Sequence, residues 1–167
     1  MSKSKIILII TLLLLMGQIA LYYINSPQMV AIHFGKNGMP DSWSSKETSS
    51  LIMIGVLVFI NLMWLGMPKI LKKVPRSLIN FPKKEYWLAD ENIDKSIPLI
   101  CPWFYIFGAA TNLFFIIAQY LAYMANKGIP AKLDSASFMN AFLIYMVFLV
   151  VWIIMFFKKF NKIPEKY

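Results

Sequence analysis

The sequence predicts an all-α membrane protein with four transmembrane helices, on three observations. The chain is 59% hydrophobic and 15% charged over 167 residues, where a soluble domain carries about 25% charged residues. The apolar residues are gathered into four blocks, each about the 20 residues that a helix needs to cross a bilayer. Basic residues crowd the ends of those blocks, 17 Lys+Arg against 8 Asp+Glu, for a formal net charge of +9. No basic face with interleaved aromatics accompanies that excess, so it fits membrane topology rather than nucleic acid.

The first block, residues 6–24, reads IILIITLLLLMGQIALYYI. It is long for the apolar stretch of a cleaved signal, and no A-x-A-like site follows it. Tyr22 and Tyr23 read as an interfacial aromatic belt, so the block is expected to stay as a span. The second block covers residues 51–71 and is broken late by Pro68. The third covers 97–123. Its Pro98 suits a first helical turn, where the missing N–H costs nothing, and Pro102 is expected to bend the helix start. The fourth covers 138–157. Residues 1–167 thus read as a single four-span integral membrane domain.

The spans carry a few polar residues, Gln18, Asn61, Thr111, Asn112, Gln119 and Asn140. Amides in lipid seek partners, so these are expected to turn inward between helices, each contact contributing about 0.6–2 kcal/mol. No Asp, Glu, Lys, Arg or His lies in a span interior, which counts against proton- or ion-coupled transport. The one cysteine, Cys101, reads as a small buried hydrophobe.

Thirteen basic residues fall at the N-terminus, in the loop between the second and third spans and in the C-terminal tail; four fall on the opposite side. The positive-inside rule places the thirteen in the cytoplasm. The expectation is a multi-pass protein of the cytoplasmic membrane with both termini inside.

That orientation puts VAIHFGKNGMPDSWSSK, residues 30–46, outside. Its first residues alternate, with Val30, Ile32 and Phe34 on one side and Ala31, His33 and Gly35 on the other, as in a short strand or an extended segment resting on the bundle. Gly35, Gly38 and Pro40-Asp41 read as turns. Ser44, Ser45, Thr48 and Ser49 are candidate caps of the second span, with Glu47 well placed near a helix N-terminus. His33 and Asp41 suit a hydrogen-bonded pair; a metal site needs further ligands. Trp43 suits an anchor at headgroup level. The candidate ligand-binding residues are His33, Asp41, Trp43 and Lys46.

The inner loop, RSLINFPKKEYWLADENIDKS, mixes basic, aromatic and acidic residues. Pro82 is expected to open a short interfacial helix running to about Ile93, with Trp87 and Leu88 dipping into the bilayer interface and the lysines near anionic headgroups. The candidate docking face for a cytoplasmic partner is Lys84, Tyr86, Trp87 and Asp90.

At these two loops the chain resembles an uncharacterised bacterial multi-pass membrane family of the domain-of-unknown-function type. The outer pattern is carried by Pro27, His33, Phe34, Gly38, Pro40, Asp41, Trp43, Ser45 and Lys46, and the inner one by Asn80, Pro82, Lys84, Tyr86 and Trp87. A similar first module stands at the N-terminus of immunity proteins that protect bacteria against the sporulation-delaying toxin. Those proteins sit in the cytoplasmic membrane and act as receptors that recruit a repressor.

The resemblance implies a related role, and two motif-rich loops on opposite membrane faces motivate the leading reading: a non-enzymatic protein of immunity or receptor type, sensing a peptide or envelope ligand through residues 27–46. Its expected partners are the bilayer, a peptide or toxin ligand outside, a cytoplasmic regulator and further copies of itself; no catalytic residue, cofactor, metal or nucleic acid is expected. The alternative is a small oligomeric permease or transporter subunit, whose mark would be Asn61, Asn112 and Gln119 lining one water-filled cavity. A third reading is a membrane enzyme using His33 on lipid substrates.

Overall fold

The structure is a computed structural model that describes residues 1–164. Lys166, counted above with the cytoplasmic set, lies outside the described residues. The elements are α1 (Lys3–Asn25), β1 (Met29–Phe34), β2 (Pro40–Ser45), α2 (Lys46–Leu65), α3 (Met67–Lys73), α4 (Lys84–Trp87), α5 (Ile93–Lys127) and α6 (Ser135–Phe160). Helices α1, α2, α5 and α6 are each long and apolar enough to cross a membrane. The fold is therefore that of an α-helical multi-pass membrane protein.

Helix α1 shows how the bundle is built. Its buried residues are Ser4, Leu8, Thr11, Leu15 and Ile19, a stripe spaced by three and four along one face. That stripe packs on α5, while Ile10, Leu13 and Leu14 on the other faces stay exposed. Such exposure would be a liability in water; here it is the surface that meets acyl chains. Since lipid is as apolar as leucine, close packing and polar pairing must hold the helices together.

Helix α5 is the spine, packing against α1, α2, α3, α6 and β1. A Cβ at its Gly108 would come within 2.7 Å of Trp64 Cδ1 and 2.9 Å of Leu8 Cδ1, so only glycine lets the three helices approach so closely. One turn further on, Asn112 and Asn61 exchange both amide bonds at 2.9 Å, and Asn112 Nδ2 also donates to Thr11 Oγ1 at 3.2 Å. Asn61 Nδ2 further donates to Leu57 O. This clasp joins α1, α2 and α5 with both amides buried. Gln18 bridges to Ile116 O, and Thr111 to Tyr145 on α6. Asn140 departs from expectation: it is exposed, because it falls in the second turn of α6, near the end of the span.

The helix boundaries also differ from the apolar blocks. Ser45 caps α2 by accepting from Thr48 N, so the helix begins at Lys46, five residues before the block. Helix α2 stops at Gly66, and Pro68 sits in the first turn of the separate helix α3. Helix α5 starts at Ile93, which leaves Pro98 and Pro102 inside it instead of at its start. The missing proline N–H groups leave two carbonyls of the first turns without a helical donor.

The inner-loop helix is a single turn, Lys84–Trp87, entered through Lys83 at φ 48°. Trp87 and Leu88 do not dip into the bilayer interface. They lie in a protein core with Leu8, Phe81, Ile100, Cys101, Phe156 and Phe160, and the Trp87 indole N–H donates to Phe160 O at 2.8 Å. That bond draws the end of α6 over the loop. The N-terminus of α1, the α3–α4 segment and the C-terminal end of α6 thus share one end of the bundle, and the β1–β2 hairpin stands at the other.

Candidate functional site

The hairpin end holds a cavity, and its walls begin with the hairpin's own geometry. Strands β1 and β2 pair antiparallel, with Ala31 opposite Trp43, His33 opposite Ser42 and Phe34 opposite Pro40. The ladder skips Ile32 on β1 and Asp41 on β2, two compensating irregularities. The expected strict alternation fails: Val30 and Ala31, still in regular register, are both buried, Ala31 where Asn126 of α5 pairs with it, and Ile32, at the irregularity, is exposed. A bulge turns successive side chains off the two-residue period.

Three ties fix the hairpin on the helices. Asn126 of α5 accepts from Ala31 N at 2.6 Å and donates to Ala31 O at 3.1 Å, so its side-chain amide pairs with β1 as a neighbouring strand's peptide would. Leu133 N donates to Gly38 O at 2.9 Å, tying the hairpin tip to the α5–α6 loop. Gly38 has φ +75°, and a Cβ there would collide with the Leu133 carbonyl, so the tip needs glycine for both conformation and contact. Finally, Lys46 N donates to Gln28 O, joining the hairpin's base to α2.

Between hairpin and helices lies a cavity of about 660 Å³, within the 300–1,000 Å³ range typical of small-molecule sites. Its depth is apolar, with Ile19, Met53 and Phe115 at the floor, beside the Leu15–Ile19–Leu57 cluster. Its rim is aromatic and polar. Tyr22 and Tyr123 stack with ring centres 4.0 Å apart, and Lys46 Nζ lies 5.0 Å from the centre of the Tyr23 ring. Gln119 lines the wall and carries a buried amide nitrogen without a protein acceptor.

Of the four residues proposed from the hairpin sequence, His33 and Lys46 line this cavity. Asp41 holds His33: their Nδ1 and Oδ1 atoms are 2.5 Å apart, with both side chains more than half exposed. Gly35 makes room for that carboxylate, since a Cβ there would lie 2.7 Å from Asp41 Oδ2. Trp43 is half-exposed and outside the cavity wall.

The four inner-loop residues do not form one face. Lys84 Nζ donates to Arg76 O and Ile79 O at 3.2 and 3.3 Å, bracing its own loop. Asp90 pairs with Arg76 on the surface. Tyr86 packs edge-on against Trp87, which is buried and so cannot join a docking surface.

The triad expected to mark a permease pore is divided. Gln119 is in the cavity wall, but Asn61 and Asn112 satisfy each other below its floor. Asn126, Tyr22 and Tyr123 carry the site without having been singled out for it. The one signal was their place at the ends of spans, where tyrosine otherwise reads as a membrane belt.

No curated protein and no solved structure matches the chain. Residues 6–59, which hold most of α1, the hairpin and the first part of α2, match a domain of unknown function, DUF1648. That match ends well before the inner loop, so the resemblance drawn from NFPKKEYW lies outside it. Residues 82–167, just over half of the chain, match the amino acid permease family. By this second match the chain belongs to the amino acid permease family.

Proposed function

We propose that this chain is a small membrane permease, or one subunit of an oligomeric permease, and that its substrate enters the cavity beneath the hairpin. The observation that carries the reading is a cavity at the hairpin end, walled by the hairpin and the helices and closed below by an apolar floor and the Asn61–Asn112–Thr11 clasp. An access route blocked at one end is what alternating access requires of one of its states. The family match over α5 and α6 supports it. The absence of Asp, Glu, Lys, Arg and His from the span interiors supports facilitated rather than coupled movement. Four spans enclose little pore, so symmetry mates would complete the pathway. On this reading the protein is not an enzyme.

The test is uptake into vesicles holding the purified chain, with radiolabelled amino acids as the first panel. Saturable uptake above protein-free vesicles supports the proposal. Failure of the amino acids and of a second panel of radiolabelled anionic amphiphiles alike, with correctly inserted protein, removes it.

A second reading keeps the immunity or receptor role, with the hairpin facing outward and both termini in the cytoplasm. It is favoured by the exposed His33–Asp41 pair within the DUF1648 match. Cells carrying the chain would then resist a membrane-active peptide toxin, and His33→Ala with Asp41→Ala would lose that resistance at equal membrane abundance. Sensitivity unchanged across a toxin panel would end this reading.

A further inference from the structure

The walls of the cavity say more about its occupant than its size does. We propose that the cavity admits a single-chain anionic amphiphile of the fatty-acid class, with its carboxylate at Lys46 and its chain among Ile19, Met53, Phe114, Phe115 and Phe138. This inference rests on the reading of that cavity as the substrate site and names what enters it.

Charge decides the head. Lys46 stands at the rim with no carboxylate within ion-pair distance among the described residues, and the adjacent Glu47 carboxylate is instead bonded by Gln28 Nε2. Its ammonium lies over the Tyr23 ring, a placement that leaves it free to meet an anion. No Asp or Glu lines the cavity. A free amino acid would therefore bring an ammonium group with no carboxylate to receive it, and leaving a charge unpaired in a semi-enclosed site is costly. A carboxylate has Lys46 to pair with. The Gln119 amide nitrogen, one turn down α5 from Tyr123 and lacking a protein acceptor, offers a further bond to a head-group oxygen.

Shape decides the tail. The lower walls are aliphatic and aromatic, with hydrocarbon as their best match. The wall includes Ile52 on α2, which is exposed, and Phe138 at the start of α6. Helix α6 packs chiefly on α5, and α2 has no substantial contact with it. The cavity thus opens sideways, between α2 and α6, toward the space that lipid occupies. A hydrocarbon chain can pass in from the bilayer without crossing water.

The experiment uses the full chain in phosphatidylcholine vesicles and a palmitate analogue carrying a diazirine near the end of its chain. Photolysis followed by peptide mapping is expected to place the label on the α5 segment around Phe115 and near Met53 of α2. Unlabelled palmitate should compete, and hexadecanol should not. Lys46→Gln should reduce labelling about three- to five-fold, the scale of one partly exposed ion pair, and Lys46→Arg should keep it. Ala118→Trp, which fills the cavity away from the rim, should abolish it. If that variant is not monodisperse, the Gln and Arg pair at Lys46 decides alone. Equal competition by hexadecanol, or label spread over the lipid-facing side of α6 and indifferent to Lys46→Gln, would overturn the inference. Vesicles that take the label in the cavity yet transport nothing would retain it and remove the permease reading. Amino acid uptake that palmitate leaves untouched, with no cavity label, would do the reverse.

Discussion

Two tryptophans in two loops meet opposite fates. Trp87 is buried beneath the end of α6, with its indole N–H bonded to Phe160 O. Trp43 stands half-exposed on the hairpin. The loops around them look equally rich in chemistry, yet the α3–α4 loop folds its distinctive residues into the protein. Lys84 braces its own loop, Phe81 and Trp87 pack against Phe156 and Phe160, and Asp90 meets Arg76. The hairpin does the converse. It is held by backbone bonds and one asparagine, and it leaves a cavity beneath itself. A dense cluster of aromatic and charged residues therefore does not by itself mark a site. What separates the ends is whether those side chains are packed into the protein or left exposed around a cavity.

The sharpest way to break that contrast is Trp87→Ala. Removing a buried aromatic and its hydrogen bond is expected to cost about 3–5 kcal/mol. Cys101 is buried in the same core and is the only cysteine. Its reaction with a fluorogenic maleimide during heating therefore reports the opening of this end. A melting curve unchanged by Trp87→Ala would mean that the inner core does not hold the fold. The matching Trp43→Ala change is expected to leave the curve in place.

Next in size is the clasp between the two ends. Asn61→Leu leaves the Asn112 amide without its partner, and a loss of about 1–2 kcal/mol is expected. The double change Asn61→Leu with Asn112→Leu should cost less than the two single losses combined, because it leaves no orphaned amide. Strict additivity in the same thiol-based melting would show that the two amides act independently.

Asn126→Leu is expected to act on the hairpin end alone. Losing the paired bonds to Ala31 should speed amide exchange at Ala31 by an amount corresponding to about 1 kcal/mol. The Cys101 melting curve should stay where it was. If the curve shifts as far as it does with Trp87→Ala, the two ends are one cooperative unit and the contrast between them is wrong.

These variants also mark what was readable in the sequence. The four spans were legible because twenty apolar residues in a row have few other uses. Their ends were not, because Ser45, Asn92 and the residues after them extend each helix with polar turns that hydropathy cannot register. The His33–Asp41 pair was legible from two polar residues across a short turn. Asn126 was not: an asparagine near the end of a span looks the same whether it faces water or pairs with a strand ninety-five positions away. The fate of Trp87 was equally hidden, since an aromatic facing lipid and one facing protein follow the same hydropathy. Partners distant in sequence decide between them.

The smallest expected effect concerns Asp134, which caps α6 beside the point where the hairpin tip meets the α5–α6 loop. The Ser137 hydroxyl and backbone N–H both donate to its carboxylate, at 2.6 and 3.1 Å. The hydroxyl bond first, and the backbone bond after it, hold its pKa below the ordinary aspartate value. A depressed folded-state pKa means that the cap contributes fully above the unfolded value and is lost as the pH falls through the folded one. Acid should therefore fray the first turn of α6 and loosen the seat of the hairpin tip, while Cys101, buried at the far end, stays protected. Asp134→Asn should keep most of the cap, since asparagine caps about as well, and should remove the acid response. The measurement is the exchange protection of the Ser137 amide, corrected for intrinsic rate, as the pH is lowered through the carboxylate range. Equal acid sensitivity in the Asn variant would assign the response to another group, and acid exposure of Cys101 in step with it would again join the two ends into one unit.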